Sequence, residues 1–329
     1  MGDEVVVVGC HAGNIEGVLR NVQLGDYNPR MTIILDGAMG TELTRRAVDT
    51  TLPLWSAIAL DSAPNVVEQI HLDYLNAGAR VITTNTFRTN VRALAKAGIA
   101  SRTRELTFRA VELARNAIEK VRGGESEKVK DALPFSLSPL PPIFIAGSIA
   151  PVEDCYEPDL VPSEEELNTE HAVLAHNLAD AGVDLMLVET MNTIREAVAA
   201  AGAAHSTGKP LWVSFTLGAD NRLLSGETLH DAVNAVMPFA PQAVLVNCIP
   251  VAQITSALTI LKPATAGRCV IGAYGNVGHV DDAVGWTLTD AVSPAAYTEA
   301  ANEWRELGAG VIGGCCGTTP AHIAAIAQQ

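Results

Sequence analysis

Residues 183–197 read VDLMLVETMNTIREA, and the order of chemistry in this stretch decides the fold. Leu185–Thr190 is a short, nearly continuous apolar run, as a parallel strand covered on both faces requires; a strand with one wet face would alternate. The run turns polar at Glu189 and Thr190. Thr193, followed three residues later by Glu196, is then a helix-start signal directly after the strand. The same strand-then-turn pattern recurs in Thr32–Asp36, Val81–Asn85, Ile143–Ser148, Leu211–Leu217, Ala243–Cys248, Cys269–Tyr274 and Gly310–Cys316.

Helical patterns lie between these runs. Arg104–Val121 places Leu106, Ala110, Leu113 and Ala117 on one stripe. Ser163 with Glu166 is a capping box opening a helix with Leu167, Leu174 and Leu178 on one face, which Gly182 can close. Asp290–Leu307 supplies a late amphipathic helix ending at Gly308. Eight strands alternating with helices predict an α/β chain forming a closed (β/α)8 TIM barrel of about 250 residues plus additions. The competing doubly wound open sheet would show a GxGxxG turn after its first strand, which Asp36-Gly-Ala-Met-Gly-Thr does not fit.

The barrel domain is assigned to residues 31–329, preceded by an N-terminal extension, residues 1–30. The extension holds a Val5–Val8 run and then Gly/Asn-rich sequence, which fits an appended strand, a plug in the barrel floor or a poorly ordered tail. Residues 123–142, running from GGESEKVKD to four prolines between Pro134 and Pro142, read as a solvated loop before the third strand.

Composition narrows the function classes. The 329 residues are 48% hydrophobic, which excludes disorder as a description of the whole chain. With 22 Lys+Arg against 37 Asp+Glu, the net charge of −15 argues against nucleic-acid partners and against anionic membrane surfaces. No apolar run approaches the roughly 18–20 residues of a membrane span. The acidic start, Met-Gly-Asp-Glu-Val, is unlike a secretory signal, and Val6 breaks the myristoylation pattern, so a soluble cytoplasmic protein is expected.

In a barrel the C-terminal strand ends carry the chemistry. Here they read Asp36, Thr84-Asn85-Thr86, Ser148, Glu189-Thr190, Thr216, Asn247-Cys248, Asn276 and Cys315-Cys316, widely separated in sequence and convergent on one mouth. Cys248, Cys315 and Cys316 could form a soft three-thiolate site for Zn²⁺ with one position open. Gly313, Gly314 and Gly317 would permit the distortion that two adjacent inward ligands require. Alternatively, Cys248 is an ordinary buried cysteine and Cys315-Cys316 an inert pair or a vicinal disulfide. Cys10, Cys155 and Cys269 read as bystanders.

A zinc ion with three thiolates is a poor Lewis acid for hydrolysis, but it can hold a fourth thiol as a reactive thiolate, which suits alkyl transfer to sulfur. Glu189 either grips a substrate ammonium or caps the following helix; Asp36 either serves the same ammonium or organises its turn. Peptide N–H groups around Gly37–Thr41 and Ile149–Ala150 could cradle a carboxylate. The histidines do not assemble: His171 and His176 lack ligand spacing, His71, His205, His230 and His322 read as surface residues, and His279 follows the seventh strand near the mouth. No GxSxG is present.

ILDGAMGTEL at 34–43, ITTNTF at 82–87, GSIAP at 147–151, VDLMLVETMNTIREA at 183–197, LVNC at 245–248 and GGCCGTTPAHI at 313–323 resemble, in order, the homocysteine S-methyltransferase family. The resemblance implies a (β/α)8 barrel that binds Zn²⁺ through Cys248, Cys315 and Cys316. The homocysteine thiolate takes the fourth position and attacks the methyl of a small donor, giving methionine. It further implies that Glu189 holds the homocysteine amino group, with Asp36 and Gly37 supplying the first-strand turn. Asn276 lies near a loop asparagine that holds the open zinc position in some members.

Betaine-using members have a tyrosine where this chain has Thr190. Cobalamin-dependent members carry modules for which 329 residues leave no room. A sulfonium donor, S-methylmethionine or S-adenosylmethionine, is therefore favoured. The alternatives are methylation of another thiol or selenol, such as selenocysteine, and a zinc or thiol-redox sensor without turnover.

Overall fold

Every second side chain of a parallel barrel strand points inward, and in this chain each inward series begins apolar and ends polar. The structure is a computed structural model, and it describes residues 32–131, 142–281, 285–287 and 292–328. Its strands are β1 (Ile33–Ile34), β2 (Val81–Thr83), β3 (Phe144–Ile149), β4 (Leu185–Met191), β5 (Leu211–Phe215), β6 (Ala243–Pro250) and β7 (Val270–Asn276); then come a small antiparallel hairpin, β8 (His279–Asp281) and β9 (Gly285–Thr287), and finally β10 (Ala309–Gly314).

Eight of these pair in parallel in the order β1-β10-β7-β6-β5-β4-β3-β2. The ring closes where Leu35 bridges Val81, Asp36 N–H donates to Val81 O (3.0 Å) and Arg80 N–H donates to Ile34 O (2.8 Å). The expected (β/α)8 barrel is therefore formed, with helices on its outer face.

The inward apolar residues, among them Ile33, Leu35, Phe144, Leu187, Trp212 and Leu245, pack as one cluster inside the ring. Trp212 is fully buried there, and truncating it to Ala would cost about 3–5 kcal/mol. Gly272 is required by the same packing: a Cβ would lie 2.2 Å from Val311 O and 2.6 Å from Leu245 Cδ2. A much larger cluster joins the outer strand faces to the helices.

The helix signals hold with instructive exceptions. Ser163 and Glu166 make the reciprocal capping box, and Gly182 ends that helix at φ +83°. Thr193 accepts the Glu196 N–H (3.2 Å), but the Glu196 carboxylate does not reach back; it is fully buried, accepts Val152 N–H (2.8 Å) and meets His171 Nε2 (3.2 Å). The late helix starts at Pro294, capped by Ser293, because proline fits the first helical position.

The loop expected from residue 123 is overturned as far as 131. The helix Thr103–Asp131 runs through GGESEKVKD, since an established helix propagates cheaply once it is nucleated. Residues 132–141 and the extension, with Cys10 and His11, lie outside the described residues. His71 and His322 are buried rather than exposed. His71 shares the helix face of Val67 and Tyr74, while His322 Nδ1 accepts the Thr319 N–H (3.2 Å) in place of a capping carboxylate. His205 and His230 are exposed as expected. His279 begins the β8–β9 hairpin, and its side chain is outside those described.

Candidate active site

Asp36, Thr84, Asn85, Ser148, Glu189, Thr190, Cys248, Cys315 and Cys316 line one cavity of about 550 Å³ at the barrel mouth, whereas Thr86, Thr216 and Asn247 are buried outside its lining. Two carboxylates face it. Asp36 Oδ2 accepts the Thr83 N–H (2.8 Å) and Oδ1 its hydroxyl (2.9 Å). Glu189 Oε1 accepts from Ser148 Oγ (2.5 Å) and Oε2 from the Tyr274 hydroxyl (3.1 Å). Neither has a cationic partner among the described residues. Burial pushes Asp36 up to about 8, with the Glu189 charge adding to it, and pushes Glu189 up to about 7, with Cys315 adding to it. Carboxyls held this high ionise fully only when a cation arrives to pair with them, which suits the site to an ammonium.

Two strand irregularities aim the site. β4 gains one residue on β5 between Val188 and Met191, and β6 gains one on β7 between Asn247 and Pro250. These β-bulges put Thr190 at φ +60° and Cys248 at φ +54°, left-handed conformations that cost a non-glycine residue about 1–3 kcal/mol. Asn247 offsets the first: its Oδ1 accepts the Thr190 N–H (3.1 Å) and the Ser214 hydroxyl (2.7 Å), and its Nδ2 donates to Thr190 Oγ1 (2.8 Å).

The three cysteines converge. Sγ atoms of Cys248, Cys315 and Cys316 all lie within 4.8 Å of one another, with Cys248 and Cys315 in contact at 2.6 Å. Cys315 and Cys316 both face the cavity because β10 ends before them. Thr318 N–H donates to Cys315 O (3.0 Å), closing a turn whose third residue, Gly317, takes φ +84°. Gly313 and Gly314 serve close approach instead: a Cβ on Gly314 would lie 2.4 Å from Thr318 Oγ1, and one on Gly313 2.6 Å from Leu35 Cβ.

The helix Met39–Arg45 braces this turn, with Thr41 Oγ1 accepting the Gly317 N–H (3.0 Å) and Arg45 Nη2 donating to Gly317 O (2.6 Å). Bonding from Cys248 and Cys316 pulls the Cys315 thiol down, while the Cys315 thiolate pushes Cys248 up, so the cluster holds one negative charge readily.

Of the other expected residues, Gly37 and its neighbours through Thr41 line the cavity, whereas Ile149 and Ala150 do not. Asn276 is buried at the end of β7 with Oδ1 unpartnered among the described residues, and it does not line the cavity either. Cys155, a bystander by sequence position, lines the cavity beside Tyr156. Tyr274, Trp55, Phe87 and Arg88 also line it and carry no sequence signal except Tyr274, which follows Gly272 at inward spacing.

A family model described as Homocysteine S-methyltransferase matches residues 33–329. The chain belongs to the homocysteine S-methyltransferase family. It is accordingly a methyltransferase. Its similar relatives include a selenocysteine methyltransferase from Astragalus bisulcatus, 33% identical over 312 residues (89% of this chain, 90% of that one). Another is a homocysteine S-methyltransferase from Escherichia coli K12, 33% identical over 300 residues (89% and 94%). Among solved structures, the metallated form of the E. coli homocysteine methyltransferase MmuM superimposes with a TM-score of 0.76 at 29% identity, covering 94% of this chain and 99% of that one. Among the described residues no helix is long and apolar enough to cross a membrane.

Proposed function

We propose that this methyltransferase binds one Zn²⁺ through Cys248, Cys315 and Cys316 and methylates the thiol of homocysteine, giving methionine, with a small sulfonium compound as donor. The observation that carries this reading is the presence, in one cavity, of a three-thiol cluster and two buried carboxylates that have no cationic partner among the described residues.

The donor set fits zinc. Zn–S bonds of about 2.3 Å in a tetrahedron separate sulfurs by roughly 3.8 Å, within the spread of these three Sγ atoms once the Cys248–Cys315 contact opens by side-chain rotation. When bound, the ion would keep the acceptor sulfur as a thiolate at neutral pH. The protein does the rest. Glu189, with Asp36 behind it, holds the acceptor ammonium, and the Gly37–Thr41 backbone lies beside Asp36 for the acceptor carboxylate. Ser148 and Tyr274 fix the Glu189 carboxylate so that it cannot turn away. The acidic cavity favours a cationic donor, which leaves as a neutral thioether and needs no general acid.

The Astragalus relative is named for selenocysteine, and a selenol would fit the same thiol cluster, so acceptor choice is the second reading. We place the activity in the cytoplasm, where the free cysteines Cys155, Cys248, Cys269, Cys315 and Cys316 would stay reduced. Residues 31–329 are taken as the barrel domain.

The deciding assay incubates zinc-loaded protein with homocysteine or selenocysteine and, separately, S-methylmethionine, S-adenosylmethionine and betaine, measuring methylated product. Methionine from a sulfonium is expected. Product from betaine alone would overturn the donor, product from selenocysteine alone the acceptor, and no product from any pair the whole reading.

A further inference from the structure

The segment after β2 brings a guanidinium into the cavity that the contacts above do not use. Arg88 is the only cationic side chain lining the cavity among the described residues, in the company of Asp36, Asp154 and Glu189. It is 9% exposed. A guanidinium carries five N–H donors, and among the described residues one hydrogen bond is made, from Nη1 to Glu153 O at 3.0 Å. Nε is buried without an acceptor among the described residues. The nearest carboxylate, Asp154 Oδ2, is 3.9 Å from Nη2, beyond hydrogen-bond reach, and belongs to a side chain 39% exposed. Arg88 Cζ lies 5.8 Å from the Phe87 ring centroid, and Phe87 packs edge-on against Trp55, so an apolar cavity wall holds the cation in place. A fixed, buried fork with donor capacity to spare matches a planar carboxylate.

We propose that Arg88 binds the carboxylate of an amino-acid sulfonium donor and so sets the preference for a donor that carries this group. This rests on the methyl-transfer reading above. The acceptor's own carboxylate is attached to the carbon that bears its ammonium and therefore lies near Asp36, Glu189 and the Gly37 turn. Arg88 sits elsewhere: it is tied to Glu153 O, at the start of the loop that carries Cys155 and Tyr156, whereas Asp36 and Glu189 are tied to Thr83, Ser148 and Tyr274 on the strands. In the transfer the methyl–sulfur bond of the sulfonium breaks and its electron pair stays on the donor sulfur, now a neutral thioether. The acceptor thiolate supplies the pair for the new bond. The carboxylate and Arg88 keep their charges throughout, so the contact orients the donor without entering the chemistry.

The test uses zinc-loaded wild-type protein, Arg88→Met and Arg88→Lys with S-methylmethionine and its methyl ester, which differ in carboxylate charge. Arg88→Met should raise KM for S-methylmethionine about 10- to 100-fold, as expected for loss of a charge-assisted pair, and should abolish the preference for acid over ester. Arg88→Lys should recover part of both. KM for homocysteine should not follow. An intact acid-over-ester preference in Arg88→Met, or a rise in homocysteine KM instead, overturns the assignment.

Calorimetric binding of S-methylmethionine separates the two levels of inference. Arg88-dependent binding without methionine formation retains the carboxylate site and retires the methyl-transfer reading; absence of binding to wild-type protein overturns the site.

Discussion

Replacing Glu189 with Gln should make the protein more stable and a worse binder, and this pair of opposite effects distinguishes a binding carboxylate from a structural one. The side chain keeps its size and can still accept from Ser148, the Tyr274 hydroxyl turning to accept from the new amide, while the charge is lost. Burial raises the Glu189 carboxyl from 4.5 to about 7 in the folded chain. Below about pH 4.5 both folded and unfolded chains are protonated there, and the substitution is neutral. Between that pH and about 7 the unfolded chain releases a proton that the folded chain retains, so folding loses stability as pH rises. At about 1.4 kcal/mol per unit the full loss is about 3 kcal/mol, reached above pH 7. Metal-free Glu189→Gln should therefore exceed wild type in urea stability by up to about 3 kcal/mol near pH 8 and match it near pH 4.

Binding should move the other way. Removing one partner of a buried charge pair costs about 2–5 kcal/mol, so KM for homocysteine should rise at least about 30-fold. In wild type, kcat/KM should fall below about pH 7 as Glu189 takes up its proton, and the Gln variant should lack that limb. An ammonium favours the ionised carboxylate, so homocysteine binding near pH 7 should release a proton, visible as a buffer-dependent calorimetric enthalpy. A variant that is destabilised near pH 8 with an unchanged KM would refute this reasoning and assign Glu189 to the fold.

Cys316→Ala should strip the protein of stoichiometric zinc in the presence of a chelator while leaving far-UV circular dichroism intact; retained metal would remove Cys316 from the ligand set. Asn247→Ala deletes three buried hydrogen bonds around the β4 bulge and, at about 1 kcal/mol each, should cost about 3 kcal/mol in denaturant stability and also weaken homocysteine binding; a loss well under 1 kcal/mol would show that the bulge holds itself. Burial lowers His71 from 6.5 to about 4, so the unfolded chain takes up a proton between those values that the folded chain refuses. Stability should fall by up to about 3 kcal/mol as pH drops across that window, and His71→Leu should flatten the fall when urea midpoints are compared across pH.

Which parts of this site are legible in sequence follows from which parts obey a period. The barrel is legible because each strand is a short apolar run with a polar end, and inward spacing of two carries that series to the mouth: Leu185, Leu187, Glu189 on β4, and Phe144, Ala146, Ser148 on β3. Tyr274 could have been found the same way. Arg88, Phe87, Cys155 and Tyr156 lie on connections between strand and helix, where no period applies, and Trp55 opens a single 3-10 turn, Trp55–Ile58, too short to show one. Cys155 looked like a bystander because it belongs to no strand end; only the folding of its loop against the mouth brings it into the cavity.

Cys248 shows the deeper limit. Along β6 the inward series Ala243, Leu245, Asn247 leaves Cys248 pointing outward, away from the other two cysteines. The bulge returns it to the mouth, and neither bulge is marked by glycine: the left-handed positions are held by Thr190 and Cys248. Local pattern reading assumes that a residue adopts the conformation it prefers, and at a functional site the surroundings override that preference. Glu196 behaves likewise. Local chemistry asks it to close a capping box, yet it turns inward to Val152 N–H and His171, tying down the loop that carries Cys155 and Tyr156. The regular floor, packed around Trp212 and Leu245, supplies the stability that allows such departures, and they gather at the polar end of the strands because that is where the thiols and carboxylates must be aimed.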